Sequence, residues 1–240
     1  MLPKKLITSK GNEIILDSRN KATISHLENP TSYVDTIIDQ INNQGVWDFY
    51  FKHPLVINRK DLVILDVGAN IGLFSLFAQD SAEIIIAIEP TPDHVTILEE
   101  FIQPYFNIII LQEAIHWQPS EIDFYISDEN STMNSSINKY GTIIKVPART
   151  LPQIITSAKL DHVDFCKVDI EGSEFFAVNE NIIKECHGII KNWHIEVHAT
   201  PIGSIQDNIA YFLAIFNNNG YVATQISYDG IFATEKKYII

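Results

Sequence analysis

The stretch VILDVGANIG, residues 63–72, ends an apolar run on an acid, Asp66, and then bends through Gly68, Asn70 and Gly72. A strand covered on both faces reads as such a continuous apolar run. A carboxylate at its end is costly unless it meets a cation or a donor. The pattern predicts a strand at 62–67, a tight turn, and a helix at about 71–79. Gly68 leaves room for close backbone approach, and Gly72 lets the next helix pack near the strand. Asn70 tolerates positive φ better than other non-glycine residues.

Working outward, strand and helix patterns alternate. EIIIAIEP is a strand, and Thr91-Pro92 opens a helix with a cap and a proline in its first turn. NIIILQEAI, VDFCKVDI and GIIKNWHIEVH are further strands. Helices are predicted at about 151–158, from Ser173, and at about 204–218. On the last of these Ile205, Ile209, Phe212, Leu213 and Phe216 form one apolar stripe. IDFYIS and TIIKVPA are strand-like, joined by the polar loop DENSTMNSSINKYG. YVATQIS and IFATEKKYII meet at the turn Tyr228-Asp229-Gly230 with no helix between them. Alternation implies an α/β fold, a mostly parallel sheet with helices on both faces, and the final pair implies an antiparallel hairpin at one edge. Upstream, residues 4–17 read as a hairpin and about 32–43 as a helix. These place an extension at 1–60 before a main domain at 61–240.

The chain has 240 residues and 46% apolar side chains, an ordinary globular composition. Its 17 basic against 30 acidic side chains leave a net charge of −13. That field repels polyanions, and Arg19, Arg59 and Arg149 are scattered, so nucleic acid is not an expected partner. Cys166 and Cys186 make neither a disulfide framework nor a zinc spacing, which fits reduced thiols in the cytoplasm. No apolar stretch follows Lys4 and Lys5, so no signal peptide is expected, and no run is long enough to span a bilayer.

Ligands of open α/β sheets bind beyond the carboxyl ends of the strands. Asp66, Gly68, Ala69, Asn70 and Gly72 would sit there. Glu89, 23 positions after Asp66 and followed by Pro90, suits a hydrogen bond to ribose hydroxyls. That fits a dinucleotide or S-adenosylmethionine. Asp66 separates them: it would repel a pyrophosphate and attract the ammonium and sulfonium of S-adenosylmethionine. The spacing G-x-x-x-G also departs from the dinucleotide G-x-G-x-x-G.

VILDVGANIG, the later KVDIEGSEF and the strand HIEVH resemble the FkbM family of S-adenosylmethionine-dependent methyltransferases. The resemblance spans about residues 60–200. It implies a Rossmann-like class I methyltransferase fold, with a seven-stranded mostly parallel sheet and an antiparallel last strand. It also implies S-adenosyl-L-methionine as cofactor and, as acceptor, a hydroxyl on a sugar, a polyketide-type product or another small molecule.

In that fold the third strand's end meets adenine, so Gln112 or Glu113 would accept from the amine, with backbone at Ala114 or Ile115 serving the ring. Asp169 falls where the fold approaches the transferred methyl, and Glu171 shares its face by the period of two. Gly172 relieves the turn, and Ser173 can cap the next helix, with Glu174 in the first turn favourable to its dipole. His194, Glu196 and His198 share a face of the fifth strand, with His194 the deeper, structural one. His198 is the first choice as general base for a hydroxyl acceptor, and Glu171 the second. A divalent cation on Asp169, Glu171 or Glu196 could acidify the hydroxyl instead, but no metal ligand is assigned. The competing readings are a nicotinamide-dependent oxidoreductase, which has no role for Asp66 or the Asp-Ile-Glu-Gly stretch, and a cofactor-binding methyltransferase-like protein without catalysis.

Overall fold

The computed structural model describes the backbone of residues 4–7, 13–16 and 22–25, and residues 59–103, 105–127, 134–137 and 141–239. The helix expected at about 32–43 lies outside these, as does much of the polar loop. β1 (Lys4–Ile7), β2 (Glu13–Leu16) and β3 (Ala22–Ser25) form an antiparallel sheet in that order. The third strand was not part of the hairpin reading.

The main sheet has seven strands. β4 (Leu62–Val67), β5 (Ala82–Ile88) and β6 (Ile108–Leu111) run outward in parallel, separated by helices α1 (Leu73–Ala78) and α2 (Pro92–Ile102). The chain then makes a small separate sheet from β7 (Ala114–Ile115), β8 (Ser120–Ile126) and β9 (Thr142–Arg149). It returns through α3 (Leu151–Ser157) to β10 (Phe165–Val168) on the other side of β4. Helices α4 (Glu174–Ala177) and α5 (Glu180–Cys186) lead to β11 (Asn192–Glu196). Helix α6 (Ile205–Asn218) leads to the hairpin of β12 (Tyr221–Gln225) and β13 (Gly230–Glu235). The sheet order is β12-β13-β11-β10-β4-β5-β6, and β13 is antiparallel to both neighbours. The hairpin therefore inserts its last strand between β11 and an edge strand, β12.

Each helix start follows its local chemistry. Thr150 and Ser204 cap α3 and α6 as reciprocal capping boxes with Gln153 and Asp207. The stripe on α6 packs as its period predicts: Ile209, Phe212 and Phe216 are buried, and Ile205 and Leu213 pack beside them. These residues join Trp193, Ile195 and Ile231 in a core on one face of the sheet. Phe74, Leu98, Phe165 and alternate residues of β4 and β5 (Leu62, Ile64, Ile85 and Ala87) fill the other face. Among the described residues no helix is long and apolar enough to cross a membrane, and Cys166 and Cys186 are buried free thiols.

The order of the sheet reverses between β4 and β10, since the chain fills one side first and the other later. That reversal opens a crevice at the strands' carboxyl ends. The first turn, after β4, and the acidic turn, after β10, both lie there.

Candidate active site

A cleft of about 570 Å³ occupies this crevice. Its first wall is built by the turn after β4. Gly68 and Ala69 both donate their N–H to the Ile88 carbonyl at 3.0 Å, which folds the turn over the end of β5. Gly68 has φ +80°, and a Cβ there would lie 1.8 Å from the Asp169 carbonyl oxygen. The glycine is needed because the first turn presses against the acidic turn. Asn70 has φ 52°, and its side-chain oxygen accepts from Ile71 N at 2.8 Å, stabilising that conformation. Gly72 has φ +86°, and a Cβ there would meet Leu98 Cδ1 at 2.0 Å. What it accommodates is α2, the second helix, rather than α1.

Glu89 stands at the mouth of β5, almost fully buried yet lining the cleft. Its Oε2 accepts from Asn70 N and its Oε1 from Thr91 N, each at 2.9 Å. His94 Nδ1 lies 3.3 Å from Oε1. Burial alone would raise this carboxyl, but His94 and the Thr91 donors outweigh it and hold it below the ordinary carboxylate range. The acid is thus ionised and fixed, with lone pairs left over for a ligand. Pro90, Ala114, Ile115 and Phe124 add an apolar wall.

The opposite wall is the turn after β10. Asp169, Ile170, Glu171 and Ser173 line it. Glu171 has φ 52° and Gly172 φ 94°, so the strand has ended before Glu171. Asp169 still bonds the ladder, its N donating to the Val67 carbonyl at 3.0 Å, and Glu171 reaches the cleft through the left-handed turn instead of strand alternation. Beneath them lies Lys167, buried, whose ammonium contacts Asp66 Oδ1 at 3.4 Å, Asp169 Oδ2 at 3.3 Å and the Gly68 carbonyl at 3.1 Å. Burial opposes its charge, but Asp169 and Asp66 raise its pKa above the ordinary lysine value.

His198 lies just past β11. Its Nδ1 is 2.9 Å from Glu174 Oε1, and its Nε2 is 3.4 Å from Glu171 Oε2 and 4.0 Å from Glu196 Oε1. Burial works against the imidazolium, but the bond to Glu174 and the charges of Glu174, Glu171 and Asp169 push its pKa up to about 10. Burial and Asp169 lift Glu171 to about 7, and Asp169 and burial lift Glu196 to about 8.

A strap at residues 134–137 closes the cleft between the two walls. Asn134 Nδ2 donates to Thr91 Oγ1 at 3.3 Å, and its Oδ1 accepts from Ser127 N at 2.8 Å. Ser135 Oγ donates to the Glu171 carbonyl at 2.8 Å, and Ser136 Oγ lies 2.6 Å from Ser173 Oγ.

Residues 66–223 match the family profile described as the methyltransferase FkbM domain. The chain belongs to the FkbM methyltransferase family. The FkbM methyltransferase of Methylobacillus flagellatus KT aligns over 77% of this chain and 46% of its own, at 18% identity and a TM-score of 0.52. This chain thus spans less than half of that protein's length. The Methanococcus jannaschii fibrillarin pre-rRNA processing protein aligns over 98% of both chains, at 13% identity and a TM-score of 0.50. The Synechocystis PCC 6803 magnesium protoporphyrin IX methyltransferase, solved with bound SAM, aligns over 88% of this chain and 87% of its own, at 10% identity and a TM-score of 0.50. At such identities these structures share the class I methyltransferase fold. A comparison with curated proteins finds no match.

Within this FkbM domain Gly68, Asn70, Glu89, Pro90, Ala114, Asp169 and Glu171 line the cleft. Ala69 and Gly72 shape the turn behind it. Several readings change. Asp66 does not face the cleft: it is fully buried, its Oδ2 accepts from Ser75 Oγ at 2.7 Å, and its cation is Lys167. Glu113 turns away into a two-pronged pair with Arg149, while Gln112 is exposed. His198, the first choice as base, is held by Glu174 and Glu171, and their charges raise its pKa to about 10, which favours the imidazolium over the neutral base. Ser173 also differs: its hydroxyl makes no cap bond to α4 and meets Ser136. Glu174 does stand in the first turn of α4, as the sequence placed it. It is fully buried and accepts from Gly172 N at 3.0 Å as well as holding His198.

The sequence reading missed Lys167, His94 and Phe124. Lys167 carried a signal, since it sits two positions before Asp169 and so shares its face. The strap lies in the polar loop DENSTMNSSINKYG, whose Asn and Ser content suits a lid over a polyol acceptor.

Proposed function

We propose that this FkbM-family chain transfers a methyl group from S-adenosylmethionine to a hydroxyl of a small polar acceptor. The observation that carries this reading is Glu89. It is a buried, ionised carboxylate held by two backbone N–H groups at the switch point, with its remaining lone pairs open to the cleft. A ribose diol satisfies such a carboxylate. Ala114, Ile115 and Phe124 supply an apolar slot of the kind that takes a purine ring. When bound, the cofactor supplies a methyl group on a positively charged sulfur. The acidic turn is suited to that charge, with Asp169 at the cleft and partly exposed.

The acceptor would enter between the acidic turn and the strap. Asn134, Ser136 and Ser173 present amide and hydroxyl groups there. Glu89, Asp169 and Glu171 are the charged lining residues, and no described lining residue is a lysine or arginine. That favours a neutral or cationic acceptor, such as a sugar-type polyol, over a phosphate or carboxylate. Glu171 reaches the cleft from the acidic turn and is placed to accept the hydroxyl proton as the oxygen attacks. Alignment of the oxygen with the methyl supplies the rest of the rate.

The test is calorimetric titration with S-adenosylhomocysteine, S-adenosylmethionine and NAD, on wild type and Glu89→Gln. Micromolar binding of the first two, weakened at least tenfold by the substitution, is expected. No binding of either, or a preference for NAD, would overturn the reading.

A further inference from the structure

Asp169, Glu196 and His198 each offer one ligand atom, and these three atoms lie within 4.8 Å of one another. Ligands of one octahedral ion at about 2.1 Å stand about 3 Å apart. The three side chains are 24–33% exposed, so rotation about their own bonds can close the difference. His198 is already oriented for coordination. The fully buried Glu174 binds its Nδ1, and the same oxygen is fixed by Gly172 N and Ile170 N. Metal-bound histidines are held this way, with the second ring nitrogen tied to a carboxylate. The free Nε2 then faces Glu171 and Glu196. Glu174 Oε2 is buried with no hydrogen-bond partner, so negative charge is left over behind the imidazole. The connected network holds the carboxylates of Asp66, Asp169, Glu171, Glu174 and Glu196 against Lys167 and His198.

We propose that Asp169, Glu196 and His198 bind a divalent metal ion of the Mn²⁺ class at the acceptor end of the cleft. One imidazole with two carboxylates suits such an ion better than a thiolate-seeking or an all-oxygen one. The ion takes the place of the proton on Nε2 and offsets the surplus of carboxylates. Asp169 lines the cleft, so the open coordination positions face the acceptor. The sequence left a divalent cation on Asp169, Glu171 or Glu196 open without assigning a ligand, and this geometry adds His198.

The experiment is titration of the full chain, freed of metal with EDTA and then dialysed, with Mn²⁺ alone, followed by calorimetry and electron paramagnetic resonance. The variants are Glu196→Gln and His198→Gln, with Glu180→Gln as a control on an exposed glutamate paired to Lys184. One Mn²⁺ per chain at micromolar affinity is expected, with at least a tenfold loss in the first two variants and none in the control. Pulsed resonance on wild type should detect a coordinated imidazole nitrogen, which holds the proposal to account even if a variant fails to fold. Weak binding at many sites, affinity untouched by both variants, or no nitrogen coupling would overturn it. Binding of S-adenosylhomocysteine is scored separately, so failure of the metal site and failure of the methyltransferase reading are distinct results.

Discussion

Replacing Gly68 by alanine tests the contact on which the site's geometry rests. The new Cβ would lie 1.8 Å from the Asp169 carbonyl oxygen, where real contacts do not fall below 3.0 Å. The first turn and the acidic turn must therefore part by about 1.2 Å, at an overpacking cost of about 2 kcal/mol. The residue also sits at φ +80°, where a side chain costs about 1–2 kcal/mol. Gly188 separates the two effects. Its φ is +87° and nothing lies within 4 Å of a Cβ built there, so Gly188→Ala carries the backbone cost alone. At about 3 °C per kcal/mol for a chain of this size, Gly188→Ala should lower Tm by about 5 °C and Gly68→Ala by about 10 °C. Thermal melts followed by circular dichroism read both. Gly68→Ala should also weaken S-adenosylhomocysteine, because the displaced turn carries Asn70 and hence Glu89. Equal melting losses in the two variants would refute the close approach of the turns.

Lys167→Met strands the buried Asp66 carboxylate and should cost about 3–5 kcal/mol in urea unfolding. Asp66→Asn should restore part of this in the double variant, and strict additivity would show that the pair is not coupled. Glu113→Gln should leave S-adenosylhomocysteine affinity within about twofold by calorimetry, since that carboxylate faces Arg149 and not the cleft. Asn134→Ala removes the strap's bond to Thr91 and should weaken the same ligand by about fivefold, corresponding to one hydrogen bond of about 1 kcal/mol.

The alternation of strands and helices was legible because apolar periods of 2 and 3.6 are properties of neighbouring residues. The terminal hairpin followed from Tyr228-Asp229-Gly230 with no helical pattern around it, and the capping boxes at Thr150 and Ser204 are local too. Asp66 shows where such reading stops. Its position at the strand's end was right, but its partner comes from a residue 101 positions later. Lys167 is set directly opposite Asp66 by the parallel register of β10 on β4, and register between distant strands is not written in either strand alone. His198 is the same case. Its free-peptide pKa suggests a base, but Glu171 and Glu174 meet it from a turn 24 or more positions upstream. Glu113 faced a choice that alternation left open, and Arg149 on β9 decided it.

Lys167 explains why the two turns of this FkbM domain behave as one unit. A single ammonium bridges the Gly68 carbonyl on the first turn and Asp169 on the acidic turn, with Asp66 beneath as its counter-charge. Gly68 then lies against the Asp169 backbone with no side chain between. A shift in the acidic turn would have to move the first turn and, through Asn70 N, the carboxylate of Glu89. The strap repeats the connection from above, since Asn134 reaches Thr91 beside Glu89 while Ser135 holds the Glu171 carbonyl. Buried charge costs stability as a rule, and here it fixes the separation between the turn that holds Glu89 and the acidic turn. The acid at the end of the first strand thus has a structural answer: it holds the lysine that holds both turns.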